Sequence, residues 1–165
     1  MTDASPAAAP AQPSVELFTH LLAPTDGTPA SHAAAERAVA IAAAMHARVT
    51  FFHAKPERRQ SFFGGEGGAF VDQMPADEFD RQADLRAGEY LAALQTMAHA
   101  AGVHCDTVVA ASGAPYEGII ETAQAHGCDL IVMASHGRRG IKSLILGSET
   151  QKVLTHSKIP VLVYR

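Results

Sequence analysis

The sequence predicts a single α/β domain built on an open five-stranded parallel sheet with helices on both faces. Apolar, β-branched segments alternate with helical segments along the 165 residues. The segment CDLIVMAS is apolar without alternation, which is typical of a strand buried on both faces. The chain is also long enough to bury a core without disulfides or a metal. In such a fold, ligands bind at the carboxyl ends of the strands, where the strand order reverses.

The first three elements are a strand, a helix and a second strand. The apolar run at 15–24 ends in proline and predicts the first strand. Thr28 can cap the next helix and Pro29 suits its first position, and an amphipathic, alanine-rich helix is predicted over 31–46. The β-branched and aromatic segment 47–54 predicts the second strand.

Two segments are predicted to lie outside the regular elements. Residues 1–14 contain alanine and proline but no basic region followed by an apolar core, which indicates a disordered tail and not a signal peptide. Residues 55–80 carry FFGGEGG and no sustained period, so we expect a mobile surface insertion there. The folded domain is then expected over 15–165.

The second half of the chain continues the alternation. An apolar stripe predicts a long helix over about 76–101 that ends before Gly102. A strand at 103–111, a helix at 114–127 and the strand at 128–135, which is apolar without alternation, follow. Strands joined by helices in this way form right-handed crossovers, so the strands are predicted to be parallel.

The chain ends in a glycine-rich turn, a short helix and a last strand. The helix is predicted over about 148–155, where Ser148 and Gln151 form a capping-box pattern. The segment IPVLVYR, at 159–165, predicts the fifth strand. An apolar strand at the end of the chain is an exposed sheet edge if left unpaired, so we expect it to have a partner.

Composition argues against several classes of protein. Lys plus Arg is 13 against 17 for Asp plus Glu, so no overall charge attracts nucleic acid or an anionic membrane. No stretch approaches the roughly 18 apolar residues of a membrane span. Cys105 and Cys128 lack CxxC partners and are expected to be buried, reduced thiols of a cytoplasmic protein. The nine histidines show no metal-ligand spacing, so no metal site is predicted.

The glycine-rich turn has the chemistry of an anion site. Gly137 and Gly140 let backbone amides approach a phosphate closely. Gly147 and Ser148 open a helix whose unsatisfied amides and dipole favour an anion, and Arg138 adds nearby positive charge. The turn is therefore predicted to bind a phosphate.

Three common motifs do not fit this turn or the first strand. The segment GRRGIKS lacks the glycine spacing and the Gly-Lys pair of a Walker A loop. A dinucleotide fingerprint needs three glycines after the first strand, where the chain has Asp26 and a single glycine. A serine-hydrolase elbow needs a glycine where Met133 stands, and the adjacent Ser135 and His136 are expected to point to opposite sides of the chain.

The spacing does match a different phosphate cradle. A small residue, two positions, glycine, nine positions and glycine-serine occur at Ala134, Gly137 and Gly147-Ser148. With LLAPTDG at the end of the first strand and IPVLVYR at the C-terminus, the chain resembles the universal stress protein family from about residue 17 to 165. The resemblance implies a five-stranded sandwich, flavodoxin-like or adenine nucleotide alpha hydrolase-like, with ATP across the ends of the first and fourth strands.

The resemblance also implies roles for particular residues. Pro24, Thr25 and Asp26 match the segment that meets the adenosine, with Asp26 as a hydrogen-bonding carboxylate. Ala54 matches an apolar residue that touches the adenine, and Ala134 stands where the family pattern begins with glycine. The full predicted cofactor-binding set is Pro24, Thr25, Asp26, Ala54, Ala134, Gly137, Arg138, Gly140, Gly147, Ser148, Glu149 and Thr150.

Two functions remain open at this point. The resemblance implies a regulatory homodimer that binds ATP in stress response, pairs through Val161, Leu162 and Val163, and acts on a regulatory protein partner whose identity the sequence leaves open. Ala134 and the small Ala54 favour the alternative, an interaction module of the same fold that binds no nucleotide. Asp26 could also serve only to satisfy the amides of its own turn.

Strong enzymatic turnover is not predicted. Phosphoryl transfer needs a positioned nucleophile or base together with charge neutralisation, and the sequence nominates no such base. We therefore expect ATP hydrolysis to be slow at most. The sequence leaves open whether Mg²⁺ or Mn²⁺ accompanies the phosphates.

Overall fold

The computed structural model describes residues 17–56, 76–136 and 146–165. Within these ranges the strands are β1 His20–Pro24, β2 Arg48–Pro56, β3 Cys105–Ser112, β4 Leu130–Ala134 and β5 Val161–Tyr164. The helices are α1 Pro29–Met45, α2 Ala76–Ala100, α3 Pro115–Ala125 and α4 Ser148–His156. All four strand pairings are parallel. The predicted fold class is confirmed.

The sheet has the order β3-β2-β1-β4-β5, so β1 lies at its centre. The chain winds outward from β1 through β2 to β3, then crosses back and places β4 on the other side of β1. The strand order therefore reverses between β1 and β4, where Leu21 is paired with Leu130 and Leu22 with Ile131. Open α/β sheets bind ligands outside the carboxyl ends of the two strands at such a point.

Apolar side chains fill both faces of the sheet because successive residues of a strand point to opposite sides. On one face Leu21 and Phe51 pack with apolar residues of α1 and α2. On the other face Leu22 and Phe52 pack with residues of α3 and α4. Every residue of β1 and β4 is buried, as the unbroken apolar run of the fourth strand predicted.

The first strand begins later than predicted. β1 starts at His20, and Leu17 within the predicted strand is 67% exposed. The pairing with β2 sets this boundary, because its register starts with His20 opposite Arg48. The Asp129 carboxylate accepts hydrogen bonds from the backbone N–H groups of Thr19 and His20 and secures the start of the strand.

The bounds predicted for the insertion, 55–80, are wrong at both ends. β2 continues to Pro56, because Lys55 is paired with Ala111 and Pro56 with Ser112. At the other end α2 begins at Ala76, so 76–80 are helical. The remaining 57–75 lie outside the described residues, as do the predicted tail and the rest of 1–16.

Other local predictions hold. Thr28 caps α1 and its side chain accepts a hydrogen bond from Ser31 N–H at 3.2 Å, with Pro29 as the first helical residue. Cys105 and Cys128 are buried free thiols, and burial raises the pKa of Cys128 to about 11. Of the helices described, none is long and apolar enough to cross a bilayer.

Candidate functional site

The loop after β1 forms one wall of the candidate site. Thr25 N–H donates to the Phe52 carbonyl at 2.8 Å, which continues the β1–β2 pairing one residue past the strand. The Thr25 hydroxyl lies 3.1 Å from Ser31 Oγ and accepts from Gly27 N–H at 3.2 Å. The loop is therefore held at both its strand end and its helix end.

Asp26 is oriented by the helix start that it precedes. Its Oδ1 accepts hydrogen bonds from Thr28 N–H at 3.0 Å and from the Thr28 hydroxyl at 2.6 Å. A carboxylate at this position also complements the positive end of the α1 dipole. Asp26 thus satisfies amides of its own turn, the structural role considered above, and its carboxylate is held at the carboxyl end of β1.

Two aromatic side chains that the sequence did not nominate support this loop. His53 Nδ1 lies 2.8 Å from the Thr25 carbonyl oxygen, and the His53 ring is 5.9 Å from that of Tyr90 on α2. Gly27 has a φ of 79°, and a Cβ added there would collide with the Tyr90 ring. The position of Tyr90 in the apolar stripe of α2 was visible in the sequence, but its contact with Gly27 depends on tertiary packing.

The end of β4 and the start of α4 form the opposite wall. Gly147 N–H donates to the Ser135 carbonyl at 2.8 Å. The Thr150 hydroxyl donates to the Ala134 carbonyl at 3.0 Å in a buried setting. These two bonds fix the first turn of α4 against the carboxyl end of β4.

The predicted capping box at Ser148 is wrong. The Gly147 carbonyl already accepts the first helical hydrogen bond, from Gln151 N–H at 2.9 Å, so Gly147 is the N-cap and Ser148 is the first helical residue. Gly147 has no side chain with which to cap the helix. The first-turn amides of α4, at 148–150, have no acceptor within the helix, and the dipole adds positive potential there. This end of α4 fits a phosphate group.

Glu149 and Thr150 have partners within the chain. Thr150 binds the end of β4 as described, and Glu149 Oε2 accepts a hydrogen bond from Tyr116 N–H of α3 at 2.9 Å. Glu149 Oε1 accepts from Lys152 Nζ at 3.0 Å. Any contact of these two residues with a nucleotide would therefore be made through their backbone amides.

Ser135 and His136 do not point to opposite sides of the chain as expected. Ser135 Oγ lies 2.9 Å from His136 Nδ1. Ser135 comes after Ala134, the last residue of β4, so the alternation of a strand no longer applies to this pair. The argument against a serine–histidine contact was wrong, whereas Met133 still occupies the position where a nucleophile elbow needs glycine.

The remaining predicted residues are placed as follows. Pro24 ends β1, Ala134 ends β4, and Ala54 lies on β2 opposite Ala110, half-buried on the α3 and α4 face. Three predicted contacts lie outside the described residues: Gly137, Arg138 and Gly140. No cluster of three His, Cys, Asp or Glu side chains suited to a metal ion occurs in the described ranges.

A doubly wound parallel sheet with a helix N-terminus beside its switch point defines an α/β protein of the class that binds ligands at the carboxyl ends of the two strands at that point, here β1 and β4. The family model described as the universal stress protein family matches residues 17–165. The chain belongs to this family.

Individual relatives agree with this assignment. The universal stress protein YxiE of Bacillus subtilis is 30% identical over 149 residues, which cover 90% of this chain and all of the relative. The structure of the universal stress protein UspA from Lactobacillus plantarum superposes with a TM-score of 0.69 at 25% identity, covering 90% of this chain and 98% of that one. A universal stress protein in complex with cAMP superposes with a TM-score of 0.62 at 26% identity, covering 90% and 97%.

Proposed function

We propose that this protein is a nucleotide-binding regulatory module of the ATP-binding type, which acts in the stress response as a cytoplasmic homodimer. In this proposal the adenosine lies near Pro24, Thr25, Asp26 and Ala54. The triphosphate lies at the first turn of α4. Arg138 and the glycines of the preceding turn complete the site, as the family resemblance implies.

One observation carries the proposal. The first turn of α4 has no side-chain cap among the described residues, and the Gly147–Ser135 and Thr150–Ala134 hydrogen bonds hold it at the end of β4, next to the switch point of the sheet. An anion at such a helix end gains hydrogen bonds from backbone amides and a favourable dipole. Across the switch point the loop after β1 places Asp26, an acceptor suited to a ribose hydroxyl.

The comparisons support a purine nucleotide as the ligand class. The relative in complex with cAMP shares the fold and 26% of its residues with this chain. Both ATP and cAMP carry an adenosine and at least a phosphate, so the same two walls could serve either ligand. We propose ATP because the family resemblance implies it, with the amides at 148–150 as donors to its phosphates.

We propose that turnover is slow at most. Phosphoryl transfer requires a positioned base or nucleophile as well as neutralisation of the developing charge. Asp26 Oδ1 is already engaged by two donors from Thr28, and the Ser135 hydroxyl is buried against His136. The protein would then act through its bound state and a regulatory protein partner.

The test is equilibrium dialysis of the full chain against labelled ATP, with cAMP and GTP as competitors. We expect saturable retention of ATP and weaker displacement by GTP, since a regulatory site must select its base. Retention of no adenine nucleotide would contradict the proposal.

That result would favour a second candidate, an interaction module that binds no nucleotide. Two observations favour this alternative. Ala134 replaces the first glycine of the family pattern, and Thr28 satisfies one oxygen of Asp26 without any ligand.

A further inference from the structure

Glu149 joins two helices that are distant in sequence. It is the second residue of α4, and its Oε2 accepts the hydrogen bond from Tyr116 N–H across 33 residues of chain. Tyr116 is the second residue of α3, whose N-cap Ala114 makes no side-chain hydrogen bond. Glu149 therefore supplies the carboxylate cap that α3 does not have in its own sequence.

A second set of contacts strengthens this link. Lys152, one turn along α4, donates to Glu149 Oε1 and lies 5.1 Å from the centre of the Tyr116 ring. The Tyr116 ring in turn lies 5.5 Å from that of His156, at the end of α4. The backbone N–H and the ring of Tyr116, at the N-terminus of α3, thus contact α4 at three residues: Glu149, Lys152 and His156.

The same carboxylate stands in the turn that is proposed to hold the triphosphate. A free carboxylate there would compete with phosphate for the positive end of α4 and repel it. Both oxygens of Glu149 are instead engaged by donors, one from α3 and one from Lys152. This arrangement reduces the repulsion and links the first turn of α4 to the start of α3.

We propose that Glu149 is a positioning residue that couples phosphate binding at the first turn of α4 to the order of the α3 N-terminus. The inference rests on the proposed function. When phosphate accepts hydrogen bonds from the amides at 148–150, the first turn of α4 becomes more rigid. The Glu149–Tyr116 hydrogen bond transmits this loss of mobility to the N-terminus of α3. The order of the surface around Tyr116 then depends on whether nucleotide is bound.

The first arm of the test needs no nucleotide. Amide hydrogen exchange is followed by NMR in the wild type, Glu149→Ala, Glu149→Gln and the control Glu121→Ala, which removes an exposed carboxylate of α3. Loss of a charged hydrogen bond should speed exchange at the Tyr116 amide by about tenfold or more in Glu149→Ala. Glu149→Gln keeps an acceptor oxygen and should show most of the wild-type protection, as should the control.

The second arm measures dissociation constants for ATP and for adenosine. Glu149→Ala should weaken ATP binding by about tenfold, because loss of the Tyr116 bond loosens the first turn of α4 and the carboxylate removed was already engaged by two donors. Adenosine affinity should stay within about twofold, because only the phosphate end depends on that turn. ATP should slow exchange at Tyr116 in the wild type and have no such effect in Glu149→Ala. Thermal unfolding of each variant shows that the fold is retained.

The outcomes separate the two proposals. Unchanged exchange at Tyr116 in Glu149→Ala, or equal losses of ATP and adenosine affinity, would overturn the positioning role. If the wild type binds neither ATP nor adenosine, the proposed function fails, together with any effect on phosphate. The exchange arm would then still decide whether Glu149 caps α3.

Discussion

Gly147 joins the end of β4 to the start of α4 through its backbone. Its N–H donates to Ser135, and its carbonyl accepts the first helical bond of α4. Its φ of −60° and ψ of 148° lie in an extended region that any residue adopts, so the conformation itself does not require glycine. In the proposed function, a glycine at this position lets the phosphate approach the backbone closely.

Gly147→Val should therefore abolish ATP binding while the protein stays folded, because a branched side chain blocks the approach to the first-turn amides. Asp26→Ala should weaken binding through the adenosine end, by about tenfold for the loss of a hydrogen bond to a charged group. Equilibrium dialysis gives the affinities, and thermal unfolding checks the fold. ATP affinity that is unchanged in both variants would defeat the proposed site.

His20 is a buried histidine at the opposite end of β1. It is 3% exposed, and its Nε2 lies 2.8 Å from Thr50 Oγ1. Its Nδ1 has no well-formed hydrogen bond to any part of the chain that the structure describes, although the backbone at His126 lies close. Burial, and then the charge of Arg48, lower the pKa of His20 below its ordinary value of 6.5, against weaker opposition from the backbone at His126 and from Asp129 and Asp106.

A lowered pKa in the folded state means that the unfolded chain takes up this proton first as the pH falls. The contribution of His20 to the free energy of unfolding is then full above pH 6.5 and is lost as the pH falls from there toward the folded pKa. Asp129 does not titrate in this window, because its hydrogen bonds from Thr19 and His20 outweigh burial and lower its pKa below 3.8.

Urea unfolding at pH 7.5 and pH 5.0 tests the role of His20. The wild type should lose stability at the lower pH, and His20→Asn should lose less because it cannot take up the proton. His104→Asn, which replaces an exposed histidine, should retain the wild-type dependence. Equal pH dependence in the wild type and His20→Asn would show that His20 is not the group responsible.

At the scale of secondary structure, the long helix α2 packs against the sheet through a narrow stripe of buried residues. Its fully buried residues recur at helical spacing in its second half: Ala87, Leu91, Leu94 and Ala98. Gly88 stands next to this stripe on the exposed side, in the interior of the helix. Beyond the backbone of its own helix and its chain neighbours, a Cβ added at Gly88 would meet no atom of the described residues within 4 Å.

Gly88→Ala should raise the free energy of unfolding by about 1 kcal/mol, because glycine costs a helix interior more conformational entropy than alanine. For a chain of this size the melting temperature should rise by about 2–4 °C. Gly102→Ala is the matched control: it lies just past α2 with a φ of 69°, where a side chain is strained, so stability should fall. A Gly88→Ala protein no more stable than the wild type would contradict this account.

At the scale of the whole molecule, β5 is an edge strand, and among the described strands it is paired on one side only. Ile131 N–H donates to the Pro160 carbonyl and Ser135 N–H to the Tyr164 carbonyl, so these residues face β4. Because backbone groups alternate in direction along a strand, the N–H and C=O groups of Val161 and Val163 point away from β4. A second copy of the chain can pair with them across a two-fold axis, as the proposed homodimer requires.

Val163→Pro should weaken the dimer by about tenfold or more, because it removes an outward N–H from each chain at the interface and none from the pairing with β4. Val163→Thr keeps both the N–H and the β-branched shape and should remain dimeric. Sedimentation equilibrium at micromolar concentration measures the difference. A monomeric wild type would refute the homodimer, and a dimeric Val163→Pro would place its interface elsewhere.

Much of the fold was encoded locally and could be predicted. Hydrophobic periodicity, the Thr28–Pro29 helix start and the unbroken apolar run of β4 all depend on residues close in sequence, so they predicted the alternation of strands and helices. The parallel sheet followed from that alternation, and the family from the spacing of Ala134, Gly137 and Gly147-Ser148.

Only the tertiary structure decided which groups meet. The start of β1 at His20 follows from its pairing with β2, and the contact of Tyr90 with Gly27 from the packing of α2. The Glu149–Tyr116 hydrogen bond spans 33 residues, and no periodic or capping pattern in the sequence near either residue indicates it. Hydrogen bonds between distant segments depend on where packing places each helix, and a local pattern carries no information about that placement.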